Sequence, residues 1–314
     1  MTPHSPSRLL LGPQRPTINL ADAIATAGIA VDRLAVISAG WQEAENDIDD
    51  LRAVIGTTLD DLCLYARAET VFAADTALAE AYRARQDRLK EQQDLYRLRL
   101  RQLAIATRAV LRAVGSPGAL AAEQRHAIAQ LRALDRHHLR RTGLAHSEFE
   151  HRYAPTGHAE LARHRDEIKS HIDAADAVLI TGGNIIVLLN RMRLFGLGEL
   201  LADKPVIAWS AGAMVLMERI VLFHDRMPQG KRDAEVLGAG LGLVGGHVTL
   251  PDPAHRLLTD SRLRIGFMAR RFSPDTCVAL ENGSAVEFRD STRVRVDAAK
   301  RLTKKGRLQR LRAA

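Results

Sequence analysis

Cysteine is almost missing from this sequence: Cys63 and Cys277 are the only two in 314 residues. Two isolated thiols support neither a disulfide framework nor a zinc cluster. Long apolar runs are missing as well. No window approaches the roughly 18 uninterrupted apolar residues of a membrane span, and Leu9 to Leu11 form too short a run for a signal-peptide core. There is no Walker loop, no G-x-G-x-x-G after a strand and no H-E-x-x-H. These absences exclude the usual sequence signatures of nucleotide binding and zinc proteolysis. The expectation is a cytoplasmic protein with no membrane contact and no cofactor.

Acidic residues are absent from the last fifteen positions, which hold seven of the eight net positive charges: Lys300, Arg301, Lys304, Lys305, Arg307, Arg310 and Arg312. The rest of the chain is nearly neutral, so a uniformly basic nucleic-acid surface is not implied. A solvated basic tail is expected over 299–314. Any nucleic-acid attachment through it would be steeply salt-dependent and would vanish on its deletion.

What is present is ordinary for a folded chain: 46% hydrophobic and 26% charged residues, enough to bury a full core. Residues 1–18, rich in Pro and Ser, read as a disordered leader. Arg33 to Trp41 reads as a buried strand entering a Gly turn, and a second strand or strand-helix pair is expected around Asp61 to Ala66. From Ala73 to Val114 neither Gly nor Pro occurs, and Tyr82, Leu89, Tyr96, Leu103 and Val110 recur at sevens. That stripe predicts one long helix packed on a neighbour, its own or a twin subunit's. Helices are expected next at about Ala121 to His151 and His158 to Ala174. After Asp176, short apolar runs separated by Gly predict strands alternating with helices. The architecture implied is an open, mostly parallel α/β sheet (19–72 and 175–298) interrupted by a helical insertion (73–174). The insertion would roof a pocket or form a homodimer interface.

Eight of the twelve histidines lie between 126 and 171. Glu148 and His151 have the i, i+3 spacing of carboxylate-bridged di-metal helices, but a second Glu-x-x-His is lacking. No metal site is assigned, and a solvated helical surface is the reading.

Ala208-Trp209-Ser210-Ala211-Gly212-Ala213 has the pattern of a nucleophile elbow, with a buried strand running through small residues into an apolar helix. There the Ala211 amide and the helix N-terminus would face developing negative charge. A plain helix N-cap is the other reading of Ser210. Thr181-Gly182-Gly183-Asn184 ends another strand, and its glycines would let backbone amides approach a carbonyl or anion.

Together, GGN at 182–184 and WSAGA at 209–213 resemble the aspartyl dipeptidase (peptidase E) and cyanophycinase family of serine peptidases. Their fold is similar to that of class I glutamine amidotransferases, with Ser in place of Cys. RLFGL at 193–197 and GLGLV at 240–244 extend the resemblance, which covers roughly 33–60 and 175–290. It implies Ser210 as nucleophile, Gly183 and Ala211 as oxyanion donors, Gly182 and Asn184 as binding residues, and a small peptide or amide as substrate. The family's His, counted without gaps, would fall near Pro251 or Asp252. His255 reaches that place only with an insertion, His247 lies earlier on the strand, and His224 is a third candidate. The orienting acid falls at Asn282, next to Glu281, which is favoured, with Asp252 second. Ile185 stands where cyanophycin-cleaving members have Gln, which argues against that substrate. The competing expectation is a scaffold that has lost its triad and serves as a binding or regulatory protein.

Overall fold

The computed structural model describes residues 5–153, 157–225 and 233–314. Strand β1 (Arg8–Leu11) leads through α1 (Leu20–Ala27) to β2 (Arg33–Ile37), and α2 (Asp49–Ile55) leads to β3 (Thr58–Asp61). Four helices follow: α3 (Leu64–Ala74), α4 (Thr76–Arg112), α5 (Pro117–Arg152) and α6 (Ala159–Ala174). The chain then returns to the sheet as β4 (Ala177–Ile180), α7 (Ile185–Leu194), α8 (Leu197–Leu200) and β5 (Val206–Trp209). Next come α9 (Ala211–Val215) and a hairpin of β6 (Arg219–Leu222) and β7 (Glu235–Ala239). The last part runs β8 (His247–Pro251), α10 (Pro253–Arg256), α11 (Arg262–Phe272), β9 (Thr276–Leu280), β10 (Ala285–Arg289) and β11 (Thr292–Asp297). It ends in β12 (Lys300–Leu302) and β13 (Leu308–Arg310).

The main sheet has seven strands in the order β11-β10-β1-β5-β4-β2-β3. The five from β1 to β3 are parallel, and β10 and β11 add an antiparallel edge. This is the mixed, mostly parallel α/β architecture expected from the alternating apolar runs. β4 and β5 are buried along their whole lengths, as parallel strands covered on both faces must be. A second sheet, β13-β12-β9-β8, carries the parallel pair β8 and β9. The Thr249 hydroxyl of β8 donates to the Ala213 carbonyl of α9 at 3.3 Å. No helix among the described residues is long and apolar enough to cross a membrane.

Two terminal expectations need correction. Residues 8–11 are not a disordered leader: β1 lies between β5 and β10, and Leu9, Leu10 and Leu11 are at most 1% exposed. Three leucines suffice because a central strand of four residues is buried on both faces, whereas the flanking Pro and Ser dominate the composition. Nor is 299–314 a solvated tail. β12 pairs with β9, β13 pairs with β12, and Leu302 and Leu311 are about 5% and 3% exposed. The basic side chains decorate a sheet edge, where cations discourage further strand pairing.

The long helix expected from 73 to 114 is broken without Gly or Pro. Asp75 takes an extended conformation and caps α4, its carboxylate accepting from the Leu78 amide at 2.8 Å. The segment Asp61 to Ala66 holds the end of β3 and the start of α3. The partner of α4 is α5 of the same chain. Their shared face is polar at its centre. Arg271 of α11 forks onto Asp135 of α5, Nε to Oδ2 at 2.8 Å and Nη2 to Oδ1 at 2.6 Å, with both side chains buried. Tyr96 of α4 donates to Asp135 at 2.8 Å and accepts from Arg271 and from the Val236 amide of β7. Burial opposes the guanidinium charge, but Tyr96 and Asp135 outweigh it and hold Arg271 above its ordinary range. This fork bolts the helical insertion onto the α/β core.

Candidate active site

Strand β5 delivers Ser210 at φ 51°, ψ −117°, a combination that costs any residue other than glycine. The next residue starts α9, yet the Ser210 side chain makes no capping bond to it. The N-cap reading therefore does not hold, and the strained turn matches a nucleophile elbow. Packing of strand ends enforces the turn. A Cβ on Gly212 would sit 2.5 Å from the Ile180 carbonyl oxygen and 2.6 Å from that of Thr181. Only glycine lets β4 and α9 approach so closely.

The Gly182-Gly183 turn leaves β4 beside it. Ser210 Cβ is 3.1 Å from where a Cβ on Gly182 would stand. Gly183 has φ 104°, and a Cβ there would lie 2.4 Å from the Gly40 carbonyl oxygen. The Asn184 amide donates to that same Gly40 oxygen at 2.7 Å. Among the described residues no group accepts from the Gly183 or Ala211 amide. Gly182, Gly183, Ser210 and Ala211 share a cavity of about 350 Å³ with Trp41, Trp209, His224, Pro251 and Arg256. Asn184 does not line it. Its Oδ1 accepts from the Ile186 and Val187 amides at 3.0 and 3.3 Å, so this side chain caps α7.

The histidine candidates separate clearly. His247 begins β8, opposite Thr276, while the strand's other end, Pro251, reaches the cavity. Its Nδ1 is 2.6 Å from the Gly245 carbonyl and its Nε2 is 2.7 Å from Arg293. Burial, then Arg293, pushes its pKa down. His247 is a buried structural residue, remote along the strand from Ser210. His224 lines the Ser210 cavity, its ring stacked on Phe223 at 6.3 Å. His255 lies on α10 between two cavity-lining residues, Pro251 and Arg256. Its Nδ1 is 2.6 Å from Asp252 Oδ1, and its side chain is 81% exposed.

The acid beside His255 is thus Asp252, not Glu281. Glu281 Oε2 accepts from the Ala254 amide at 3.4 Å, and burial raises its pKa. Glu281 supports the backbone of α10. Its neighbour Asn282 holds the N-terminal segment, donating to the Pro13 and Thr17 carbonyls at 2.6 and 2.7 Å. Asp252 takes φ 57°, its amide donating to the Leu280 carbonyl at 2.9 Å. That left-handed step ends β8 and turns α10 toward the cavity rim.

Sequence reasoning missed Trp41, Arg256 and Asp225. The Asp225 amide donates to the Arg256 carbonyl at 2.7 Å, and its carboxylate accepts from the Leu258 amide at 3.1 Å. It clamps the segment that carries His255. The HDRMP sequence around it held no strand or helix pattern from which this could be inferred.

Residues 142–296 match the family model described as peptidase family S51. No curated protein matches. Among solved structures, a peptidase from an acI-B1 Actinobacterium is 12% identical, with 99% of this chain and 96% of that one covered at a TM-score of 0.47. A Listeria monocytogenes EGD-e protein named provisionally as a peptidase E is 23% identical, with 44% of this chain and 65% of that one covered at a TM-score of 0.30.

Proposed function

We propose, from the premise that residues 142–296 belong to peptidase family S51, that Ser210 is the nucleophile of a hydrolase acting on a small peptide or amide. The observation that carries this reading is the backbone of Ser210. A strained φ of 51° beside two glycines, with the side chain turned away from capping duty, has no stabilising purpose. A cavity of about 350 Å³ suits a small ligand.

In the proposed mechanism Ser210 Oγ attacks the scissile carbonyl carbon and loses its proton to His255 Nε2. The pairing of His255 Nδ1 with Asp252 leaves Nε2 as the basic nitrogen, the logic of a Ser-His-Asp triad. The mechanism requires the exposed ring to swing toward the cavity together with Asp252, so that Nδ1 keeps its partner. The tetrahedral oxyanion accepts from the Ala211 and Gly183 amides, each contributing about 3 kcal/mol of barrier lowering. The His255 proton then passes to the departing amine, and water attacks the acyl-enzyme to release the acid. A second reading, with His224 as the base, rests on its place in the Ser210 cavity.

Labelling with a fluorophosphonate probe tests these readings. The expected result is labelling that disappears in Ser210→Ala and falls at least tenfold in His255→Ala and Asp252→Asn. Loss in His224→Ala with retention in His255→Ala would transfer the base to His224. No labelling of folded protein would leave the degenerate binding scaffold as the better reading.

A further inference from the structure

Consecutive residues of α7 line two different cavities. Ile185 faces the one that holds Ser210, and Ile186 faces another of about 170 Å³ between α4, α5, α7 and β7. At roughly 30 Å³ per water, that is room for about six non-hydrogen atoms. Its walls are apolar at Leu89, Leu189 and Leu237.

Two polar groups in this wall lack partners. Gln86 Nε2 and His146 Nδ1 are buried and make no hydrogen bond. The other end of the Gln86 amide is satisfied, its Oε1 accepting from Asn190 Nδ2 at 3.1 Å. A buried unmatched donor costs about 1–3 kcal/mol and calls for an explanation. The charges nearest the wall are mostly cationic, although Arg97 is already paired with Glu235 and Asp94 at 2.7 and 3.0 Å. No Asp or Glu lines the cavity, whereas Lys90 and Arg97 do. Burial, then the charges of Arg193 and Arg85, pushes the His146 pKa down to about 2. Arg85 itself is only 5% exposed, with Nε and Nη2 unpartnered.

We infer that this cavity binds a small aliphatic carboxylate, whose oxygens accept from Gln86 Nε2 and from His146 in its Nδ1–H form while its chain packs on Leu89, Leu189 and Leu237. The carboxylate supplies the acceptors that the wall lacks, and Lys90 in the same wall favours its negative charge. The apolar remainder gives the leucines a dry neighbour.

Titration calorimetry on the intact protein with 2-methylpropanoate, six non-hydrogen atoms, is the test, beside 2-methylpropanamide, which has the same shape and no charge. The acid is expected to bind saturably and the amide at least tenfold more weakly. Gln86→Leu and His146→Leu, each with native circular dichroism, are expected to weaken acid binding at least tenfold. If His146→Leu does not fold, Gln86→Leu alone carries the test. Absence of saturable heat at millimolar acid, equal affinity for acid and amide, or wild-type affinity in a folded variant would each overturn the assignment.

Discussion

Replacing Ser210 separates chemistry from backbone strain. Both Ser210→Ala and Ser210→Gly remove the hydroxyl, so both are expected to be inactive. They differ in the unfavourable φ of 51° and ψ of −117°. An L-residue in such a region carries about 1–3 kcal/mol of strain, which Ala retains and Gly relieves. Glycine gives back about 0.5–1 kcal/mol through the greater freedom of the unfolded chain. The net expectation is a glycine variant more stable than the alanine variant by about 1 kcal/mol. With an unfolding entropy of roughly 2.1 cal/mol/K per residue, that is a difference in Tm of about 1.5 °C for a chain of this size. Differential scanning calorimetry of the two proteins, side by side, resolves it. A glycine variant that melts below the alanine variant would show that the turn stores no strain, and the elbow argument would fail with it.

Gly212→Ala places a Cβ 2.5 Å from the Ile180 carbonyl oxygen; it is expected to cost about 1–3 kcal/mol by overpacking and to abolish Ser210 labelling by displacing α9. Asp135→Ala leaves the Arg271 guanidinium buried and unpaired, for an expected loss of about 3–5 kcal/mol in urea unfolding. The pH dependence has a definite sign: His146, held near a pKa of about 2 when folded, binds protons more readily in the unfolded chain. Its effect on stability is therefore nil above the unfolded value of about 6.5 and grows as pH falls toward 2. At pH 4.5 the loss is on the order of 3 kcal/mol, and His146→Leu is expected to flatten that part of the pH profile. Deleting residues 299–314 removes buried Leu302 and Leu311, worth about 1.5–3 kcal/mol each. A marked fall in Tm is expected, and an unchanged Tm would restore the view of a frayed tail.

The sequence by itself determined the elements whose signal is local. Parallel strands such as Val206–Trp209 are continuous apolar runs because both faces are covered, and Gly212 and Gly183 stand where backbone meets backbone. The long helix α4 was legible from its heptad stripe, though not that α5 of the same chain covers it, and the turn at Ser210 was legible from the small residues around it. What depended on distant parts of the chain was not legible. Leu9 to Leu11 become the middle of a sheet only because β5 and β10 close on them, and the basic terminus becomes an edge hairpin only because β9 offers a partner. Asp252, rather than Glu281, stands beside His255 because a left-handed residue ends β8 and winds α10 back over its own carboxylate. A break at Asp75 without Gly or Pro, an Arg271 fork reaching a helix 136 residues away and an unmatched His146 in a cavity wall are also products of packing. Local sequence dictates periodicity and turns, whereas burial and charge pairing are set by neighbours that only the folded chain supplies.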